Sequence, residues 1–198
     1  MNLPNKLTVS RFALTGIFLW ALFSPIKYND TLALVFFSLA GVTDFLDGHL
    51  ARSRNLITSF GKLMDPLADK ILTCSAFIAF VESSQLNPDA PVKVAAWMVI
   101  VIVAREFAIT GLRLLAASKN IVLAAERFGK HKTISQIITI NALLIGDACA
   151  EWPAALKGLF TLWIGPFAAI MLWVTVLLTA ASGAIYLWRN RALYLEDV

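Results

Sequence analysis

The chain alternates between long apolar runs and short polar connectors. Six runs are long enough to approach or cross a hydrocarbon core of ~30 Å, and they cover residues 7–23, 31–51, 60–81, 92–117, 134–150 and 167–188. Pro25, Pro91 and Pro153 fall in connectors where helices should stop. The segment 152–166 is apolar but broken by Gly and Pro, which predicts a short interfacial piece. The pattern predicts an all-α, polytopic membrane protein with six transmembrane helices.

Composition agrees with this pattern. The 198 residues are 59% hydrophobic, with a mean hydropathy of +0.73, far above a soluble globular domain. We expect one membrane domain covering residues 1–198. Cys74 and Cys149 lie in or at the edge of apolar runs without any metal or redox spacing, so they are predicted to be free packing residues. A polar start and no small-residue cleavage site predict that the first helix is retained.

The distribution of Lys and Arg predicts the orientation, because cytoplasmic connectors are enriched in these residues. One side carries only Lys27, Lys93 and Lys157. The other side carries Lys6, Arg11, Arg52, Arg54, Lys62, Lys119, Arg127, Lys130, Lys132, Arg189 and Arg191. Both termini are therefore predicted to be cytoplasmic, and the net charge of +4 is interpreted as orientation and anion contact rather than nucleic-acid binding.

Four carboxylates interrupt the apolar sequence at Asp44, Asp47, Asp65 and Asp69. Residues three or four apart share one face of a helix, so two helices can aim these groups at one point in the predicted cytoplasmic third of the membrane. Each carboxylate costs roughly 2.5 to 3.5 kcal/mol to insert, so a bound cation or a polar cavity is expected. Oxygen ligands suit Mg²⁺, Ca²⁺ or Mn²⁺ rather than zinc.

Two interpretations of this cluster are available. The aspartates can cap helices and pair with Arg52, Arg54 and Lys62 at an interface. Four ionisable groups at membrane depth favour a functional site instead, and paired metals are a usual device for gripping a diphosphate. Gly48 and Gly61 would let a charged group approach the backbone, and Arg52 can bond phosphate oxygens.

The fixed spacing Asp44-x-x-Asp47-Gly48-x-x-Ala51-Arg52, then eight residues, then Gly61-x-x-x-Asp65-x-x-x-Asp69, resembles the signature of the CDP-alcohol phosphotransferase family at every fixed position. The resemblance implies a six-helix homodimeric enzyme that cleaves a CDP-linked lipid or alcohol and releases CMP. It implies that Asp44, Asp47 and Asp65 hold Mg²⁺ or Mn²⁺, as two ions, and that Asp69 is the general base and also touches metal. The residues implied to bind CDP-diacylglycerol are Asn5, Thr8, Gly48, Ala51, Arg52, Thr58 and Gly61.

Three further stretches resemble the bacterial phosphatidylglycerophosphate synthases, a branch of this family. They are the element from Pro4 to Arg11, the arrangement Arg105-Glu106-x6-Arg113, and the run from Gly129 to Thr133 followed by Gln136. The resemblance implies sn-glycerol 3-phosphate as the acceptor, with Arg105, Arg113, Lys130 and Lys132 binding it. It also implies a place in the bacterial cytoplasmic membrane, with the active site facing the cytoplasm.

Each of these stretches has a plainer interpretation. Thr8 or Ser10 can cap the first helix. Arg105 and Arg113, about 80° apart around a helix, can neutralise the aspartates, or Glu106 can pair with Arg105. Lys130 and Lys132 can be interchangeable connector cations. We expect Arg113, in contrast, to be buried.

Two alternatives to this function remain open. One is a sibling enzyme with another acceptor, such as phosphatidylglycerol in a cardiolipin synthase or an inositol phosphate. The other is a divalent-cation transporter, for which intramembrane carboxylates are equally natural. Against a transporter, the carboxylates cluster at one side, and we expect no ionisable residue to continue a path through the outer half.

Overall fold

The computed structural model describes residues 3–53, 59–119, 121, 123 and 128–195, with side chains for 8–43, 64, 67–119, 121, 123 and 131–195. Within these residues the chain is all-helical, without a strand. The predicted fold class is confirmed to this extent.

Six long helices follow the six apolar runs. They are α1 (Leu3–Phe23), α2 (Asn29–Ser53), α3 (Ser59–Leu86), α4 (Ala96–Ser118), α5 (Phe128–Ala148) and α7 (Ile164–Arg189). A 3-10 turn (Cys149–Glu151) and the seven-residue α6 (Ala154–Phe160) join α5 to α7, and α8 (Ala192–Leu195) follows α7. The helix α5 begins six residues before its apolar run, so Lys130 and Lys132 lie on its first turns and not in a connector.

The long helices form a closed ring whose order differs from the chain order. α1 packs against α2 and α3, α5 packs against α2 and α7, and α4 packs against α3 and α7. The order around the ring is therefore α1, α2, α5, α7, α4, α3, with α3 also touching α5. Phe18 and Phe37 meet edge to face at 5.6 Å in the centre, and buried alanines such as Ala40 and Ala76 let the helices approach closely.

The outer surface of the ring carries many large apolar side chains. Large apolar side chains that are more than half exposed include Trp20, Val42, Ile78, Ile100, Phe107, Leu114, Ile170, Leu177 and Trp188. Such an extensive exposed apolar surface is typical of a protein surrounded by lipid. Among the described residues, His131–Glu151 and Ile164–Arg189 are long and apolar enough to cross a membrane, while Thr8–Phe23 and Asn29–Thr43 are shorter apolar helices. The six spans and the orientation stay predictions.

At the end of the bundle opposite the signature, hydrogen bonds join the connector after α5 to the start of α2. The Glu151 carboxylate accepts bonds from the backbone N–H groups of Asp30 at 3.1 Å and Thr31 at 2.9 Å. The indole of Trp152 donates to Thr31 Oγ1 at 3.0 Å. A carboxylate here satisfies first-turn amides of α2 and opposes the positive end of its dipole. The α5–α6 connector is thereby fixed to α2.

The same end carries two further acidic residues. Asp147 lies in the last turn of α5, close enough to Asp30 for their charges to interact. The expectation that no ionisable residue continues a path through the outer half of the membrane stays a prediction. Of the acidic residues at this end, Glu151 is the one that bonds the first amides of α2.

Candidate functional site

The backbone brings the two halves of the signature to adjacent helix ends. Asp44 and Asp47 lie in the C-terminal part of α2, and Asp65 and Asp69 lie near the start of α3. Only residues 54–58 separate the two helices. The expected helical placement of both pairs is confirmed, and each pair therefore shares a face at three- or four-residue spacing.

Most side chains of the signature lie outside the described residues. This applies to Asn5, Asp44, Asp47, Gly48, Ala51, Arg52, Gly61, Asp65 and Lys130, and Thr58 lies outside entirely. In the described part, no group of three or more His, Cys, Asp or Glu side chains is arranged to hold a metal ion. The predicted metal and nucleotide ligands therefore stay predictions. Among these ligands, the structure describes the side chains of Asp69 and Thr8.

Asp69 lies half-buried on a turn of α3 that is fastened to α4. Its carbonyl oxygen accepts a hydrogen bond from Thr73 Oγ1 at 3.0 Å. The adjacent Lys70 donates through Nζ to Thr110 Oγ1 on α4, and that hydroxyl donates to the Glu106 carbonyl at 2.7 Å. The backbone around the predicted general base is therefore held from two directions.

A buried ion pair joins α4 to α5. Glu106 and Lys132 are 6% and 5% exposed, and Lys132 Nζ donates to Glu106 Oε1. Arg105 Nη1 lies 3.4 Å from the same oxygen. Two of the four predicted acceptor-binding cations thus meet at one carboxylate, which leaves a formal surplus of one positive charge.

The sequence interpretation anticipated the Arg105–Glu106 contact but not Lys132. The two ion-paired residues are 26 positions apart on different helices, and no spacing rule connects such positions. The plain interpretation of Lys132 as an interchangeable connector cation is wrong, because it is buried within α5. Glu106 is the residue that sequence reasoning undervalued, and its position as a carboxylate between Arg105 and Arg113 was the available signal.

The ion pair and Asp69 belong to one polar layer across the bundle. Asp69, Lys70, Glu106 and Lys132 all lie within electrostatic range of Cys74, a half-buried free thiol on α3. The charge of Asp69 also acts on Lys132. The predicted base and Lys132, one of the predicted acceptor cations, are therefore neighbours.

The helix α7 packs against this layer through a glycine, Gly183. A Cβ atom on Gly183 would lie 2.7 Å from Cγ and 3.6 Å from Cβ of Arg105, closer than real Cβ contacts allow. The stem of Arg105 therefore fits only against a residue without a side chain. Arg105 Nε is buried and, among the described residues, has no hydrogen-bond partner. Arg105 therefore keeps one buried donor that the described part of the protein does not satisfy.

Arg113 lies on the outside of the layer. Its side chain is exposed, its Nε donates to Tyr186 Oη at 3.4 Å, and its guanidinium carbon is 5.7 Å from the centre of the Tyr186 ring. The expectation of a buried Arg113 is wrong. Two turns beyond Arg105, the rotation around α4 carries Arg113 past the buried Ile109 to the surface, where a long side chain can reach water.

The N-terminal element lies inside the first helix. α1 begins at Leu3, so Thr8 and Ser10 are in its interior and the capping interpretation is wrong. Thr8 is completely buried and Arg11 is 1% exposed. Arg11, one of the cations counted on the predicted cytoplasmic side, is thus enclosed within the bundle.

The chain matches the family model for CDP-alcohol phosphatidyltransferases over residues 1–181. It therefore belongs to the CDP-alcohol phosphatidyltransferase family.

Three relatives are each named CDP-diacylglycerol–glycerol-3-phosphate 3-phosphatidyltransferase. The Bacillus subtilis protein is 41% identical, covering 96% of this chain and 95% of that one. The Rickettsia bellii protein is 32% identical over 93% of both chains, and the Escherichia coli protein is 32% identical over 72% of this chain and 76% of that one.

The contact between Gly183 and Arg105 generates a stability prediction. We expect Gly183→Ala to destabilise the protein by about 1 to 3 kcal/mol, because overpacking displaces Arg105. Gly111→Ala on α4 is the matched control, since a Cβ there meets nothing within 4 Å. Alanine usually stabilises a helix relative to glycine by roughly 0.5 to 1 kcal/mol, so the two variants should shift the unfolding midpoint in detergent in opposite directions. Equal midpoints would show that Arg105 does not need the close approach.

Proposed function

We propose that this protein transfers the phosphatidyl group from CDP-diacylglycerol to sn-glycerol 3-phosphate, giving phosphatidylglycerophosphate and CMP. The observation that carries the proposal is the complete Asp44-to-Asp69 signature on α2 and α3. The family match supports the reaction class, and the names of relatives that align along the chain support the acceptor.

Asp69 is the general base of the proposed reaction. It accepts the proton of the glycerol 1-hydroxyl as that oxygen bonds to the phosphorus bearing diacylglycerol. The bond from this phosphorus to the bridging oxygen breaks, and CMP leaves with the bonding electrons. The tie from Lys70 to Thr110 supports this role, because a general base must be held within hydrogen-bond reach of its proton.

Asp44, Asp47 and Asp65, together with Asp69, would hold two Mg²⁺ or Mn²⁺ ions. Their oxygen-only donor set fits these metals, and only five residues separate α2 from α3 in the sequence. Bound ions would neutralise charge on the diphosphate. The proposed contacts to CDP-diacylglycerol are Asn5, Thr8, Gly48, Ala51, Arg52, Thr58 and Gly61.

The proposed acceptor site contains Arg105 and Lys132 in the layer, Lys130 on the first turn of α5, and Arg113, whose exposed side chain would reach the acceptor from outside the layer. The surplus positive charge at Glu106 and the buried donor Arg105 Nε support the binding of a compact anion. Phosphatidylglycerol offers a phosphodiester with a single negative charge on a bulky lipid, which matches a compact cationic cluster less well than a phosphate monoester does. This favours glycerol 3-phosphate over phosphatidylglycerol, the acceptor of the cardiolipin synthase alternative. An inositol phosphate carries the same kind of phosphate group as glycerol 3-phosphate, so an assay must distinguish these two acceptors.

We also propose six membrane spans, cytoplasmic termini and a homodimer in the bacterial cytoplasmic membrane, with the signature facing the cytoplasm. The six long helices have 21 to 28 residues, and 21 residues at 1.5 Å each are enough for a core of ~30 Å. The apolar outer surface supports a lipid environment. Orientation rests on the Lys and Arg distribution, and the homodimer rests on the family resemblance.

The deciding experiment is an acceptor panel. Purified protein with CDP-diacylglycerol should release CMP with sn-glycerol 3-phosphate, but not with phosphatidylglycerol or inositol phosphate. Excess EDTA should abolish release, and Mg²⁺ or Mn²⁺ should restore it, because the proposed ligands are all carboxylates. Preference for another acceptor would replace the proposal by a sibling activity. Uptake of labelled Mn²⁺ into proteoliposomes without any CMP release would favour the transporter.

The proposed base is tested by Asp69→Asn, which keeps the shape and removes the proton acceptor. We expect turnover to fall by a factor on the order of 10² or more, while CDP-diacylglycerol still binds. The measurement is CMP release in a single turnover together with lipid-nucleotide binding. Asp89→Asn, in the exposed connector at the opposite end, is the control and should behave like the original protein. Near-normal turnover of Asp69→Asn would exclude this role.

The two substrates are separated by Arg113→Ala and Arg52→Ala. Loss of a charged hydrogen bond costs about 1.5 to 3 kcal/mol, roughly 10- to 100-fold in affinity. Arg113→Ala should raise KM for glycerol 3-phosphate by that order with a smaller effect on CDP-diacylglycerol, and Arg52→Ala should do the reverse. Arg191→Ala removes another exposed cation, stacked on Trp188, and controls for general surface charge. An Arg113→Ala effect no larger than that of Arg191→Ala would remove Arg113 from the acceptor site.

A further inference from the structure

We propose that Glu106 is a positioning residue, which fixes Lys132 and Arg105 so that their charges converge on the phosphate of the acceptor. This inference rests on the proposed transfer to an anionic acceptor. Glu106 itself is not placed in contact with either substrate. Its effect on the reaction passes through the two cations that share its Oε1 atom.

The contacts set Glu106 apart from an ordinary surface ion pair. The residue is 6% exposed, and its partners come from its own helix and from α5. α4 packs against α3 and α7, whereas α5 packs against α2 and α7. The carboxylate therefore fixes a cation from one side of the ring relative to a cation from the other side.

Lysine needs such a fixed point more than arginine does. Its ammonium is a compact charge at the end of a flexible four-carbon stem, without the planar fork that pre-organises a guanidinium. A buried ammonium without a neighbouring carboxylate is also disfavoured in its charged form. Glu106 supplies both the fixed position and the compensating charge for Lys132. Arg105 is held separately by its stem against Gly183, so it depends on Glu106 less.

The cluster retains binding capacity after these contacts are made. One carboxylate faces two cations, and in the part of the chain that the structure describes Arg105 Nε is buried without a partner. A purely structural ion pair would be expected to balance its charges and satisfy its donors. A phosphate group would accept from Arg105 Nε and bring negative charge to the two cations, and Asp69 is close enough for its charge to act on Lys132. The acceptor would therefore be bound beside the proposed base.

Glu106→Gln tests this role, because it preserves size while removing the charge. We expect KM for sn-glycerol 3-phosphate to rise roughly 10-fold, with KM for CDP-diacylglycerol and kcat at saturating acceptor changed less than about twofold. A merely structural role would lower the amount of folded protein or kcat without this selective change in KM. Glu82→Gln is the matched control, since Glu82 is exposed near the far end of α3.

Two further variants make the result decisive. If Glu106 acts through Lys132, the variant combining Glu106→Gln with Lys132→Gln should have nearly the same acceptor KM as Lys132→Gln alone. Fully additive losses would overturn the proposal. Glu106→Asp keeps the buried charge and shortens its reach, so it serves if Glu106→Gln does not fold. An acceptor KM raised by about threefold is expected for Glu106→Asp, and an unchanged KM overturns the proposal.

CMP release by the original protein separates failure of the proposed function from failure of the proposed role of Glu106. If it releases no CMP with sn-glycerol 3-phosphate, the proposed function fails. If it is active and folded Glu106→Gln retains the acceptor KM, the positioning role alone fails.

Discussion

The burial of charge in an apolar ring is the constraint on which the rest of this structure depends. Glu106, Lys132 and Arg105 would each be expensive to bury alone, by several kcal/mol per ion. Together they are tolerated because one carboxylate oxygen serves two cations. The surrounding residues follow from this requirement: Gly183 leaves room for the stem of Arg105, and Thr110 accepts the bond from Lys70.

The polar layer near the signature and the hydrogen bonds that join the connector after α5 to α2 lie at opposite ends of the bundle. Charged and hydroxyl side chains form a layer near the signature, and aromatic and aliphatic side chains such as Phe18, Phe37 and Ile140 fill the middle. Glu151 fixes the α5–α6 connector to the start of α2 at the opposite end. A site held between a packed core and tied helices retains its geometry without support from long loops.

The helices and the candidate site could be predicted from sequence to different extents. Apolar runs indicated all six long helices, and the aspartate spacing indicated the family and the placement of its signature on two helices. The ring order could not be predicted, because periodicity does not specify neighbours. The face that each helix turns toward the core could not be predicted either, because apolar residues suit both the lipid and the core. On α4, Ile100 and Phe107 face outward while Ile102 and Ile109 are buried. Arg113 was misjudged for that reason, and the partner of Lys132 was missed because it lies on another helix.

The position of α7 in the ring has a consequence for biosynthesis. α7 is synthesised after α4 and α5, yet it lies between them in the ring. Trp173 and Gly183 cover Trp97 and Arg105 of α4, and Thr175 bonds Thr139 of α5 at 2.8 Å. Until α7 arrives, these side chains of α4 and α5 lack the surface that encloses them in the finished protein. The layer that contains Arg105 and Lys132 can therefore be enclosed only after α7 has been made.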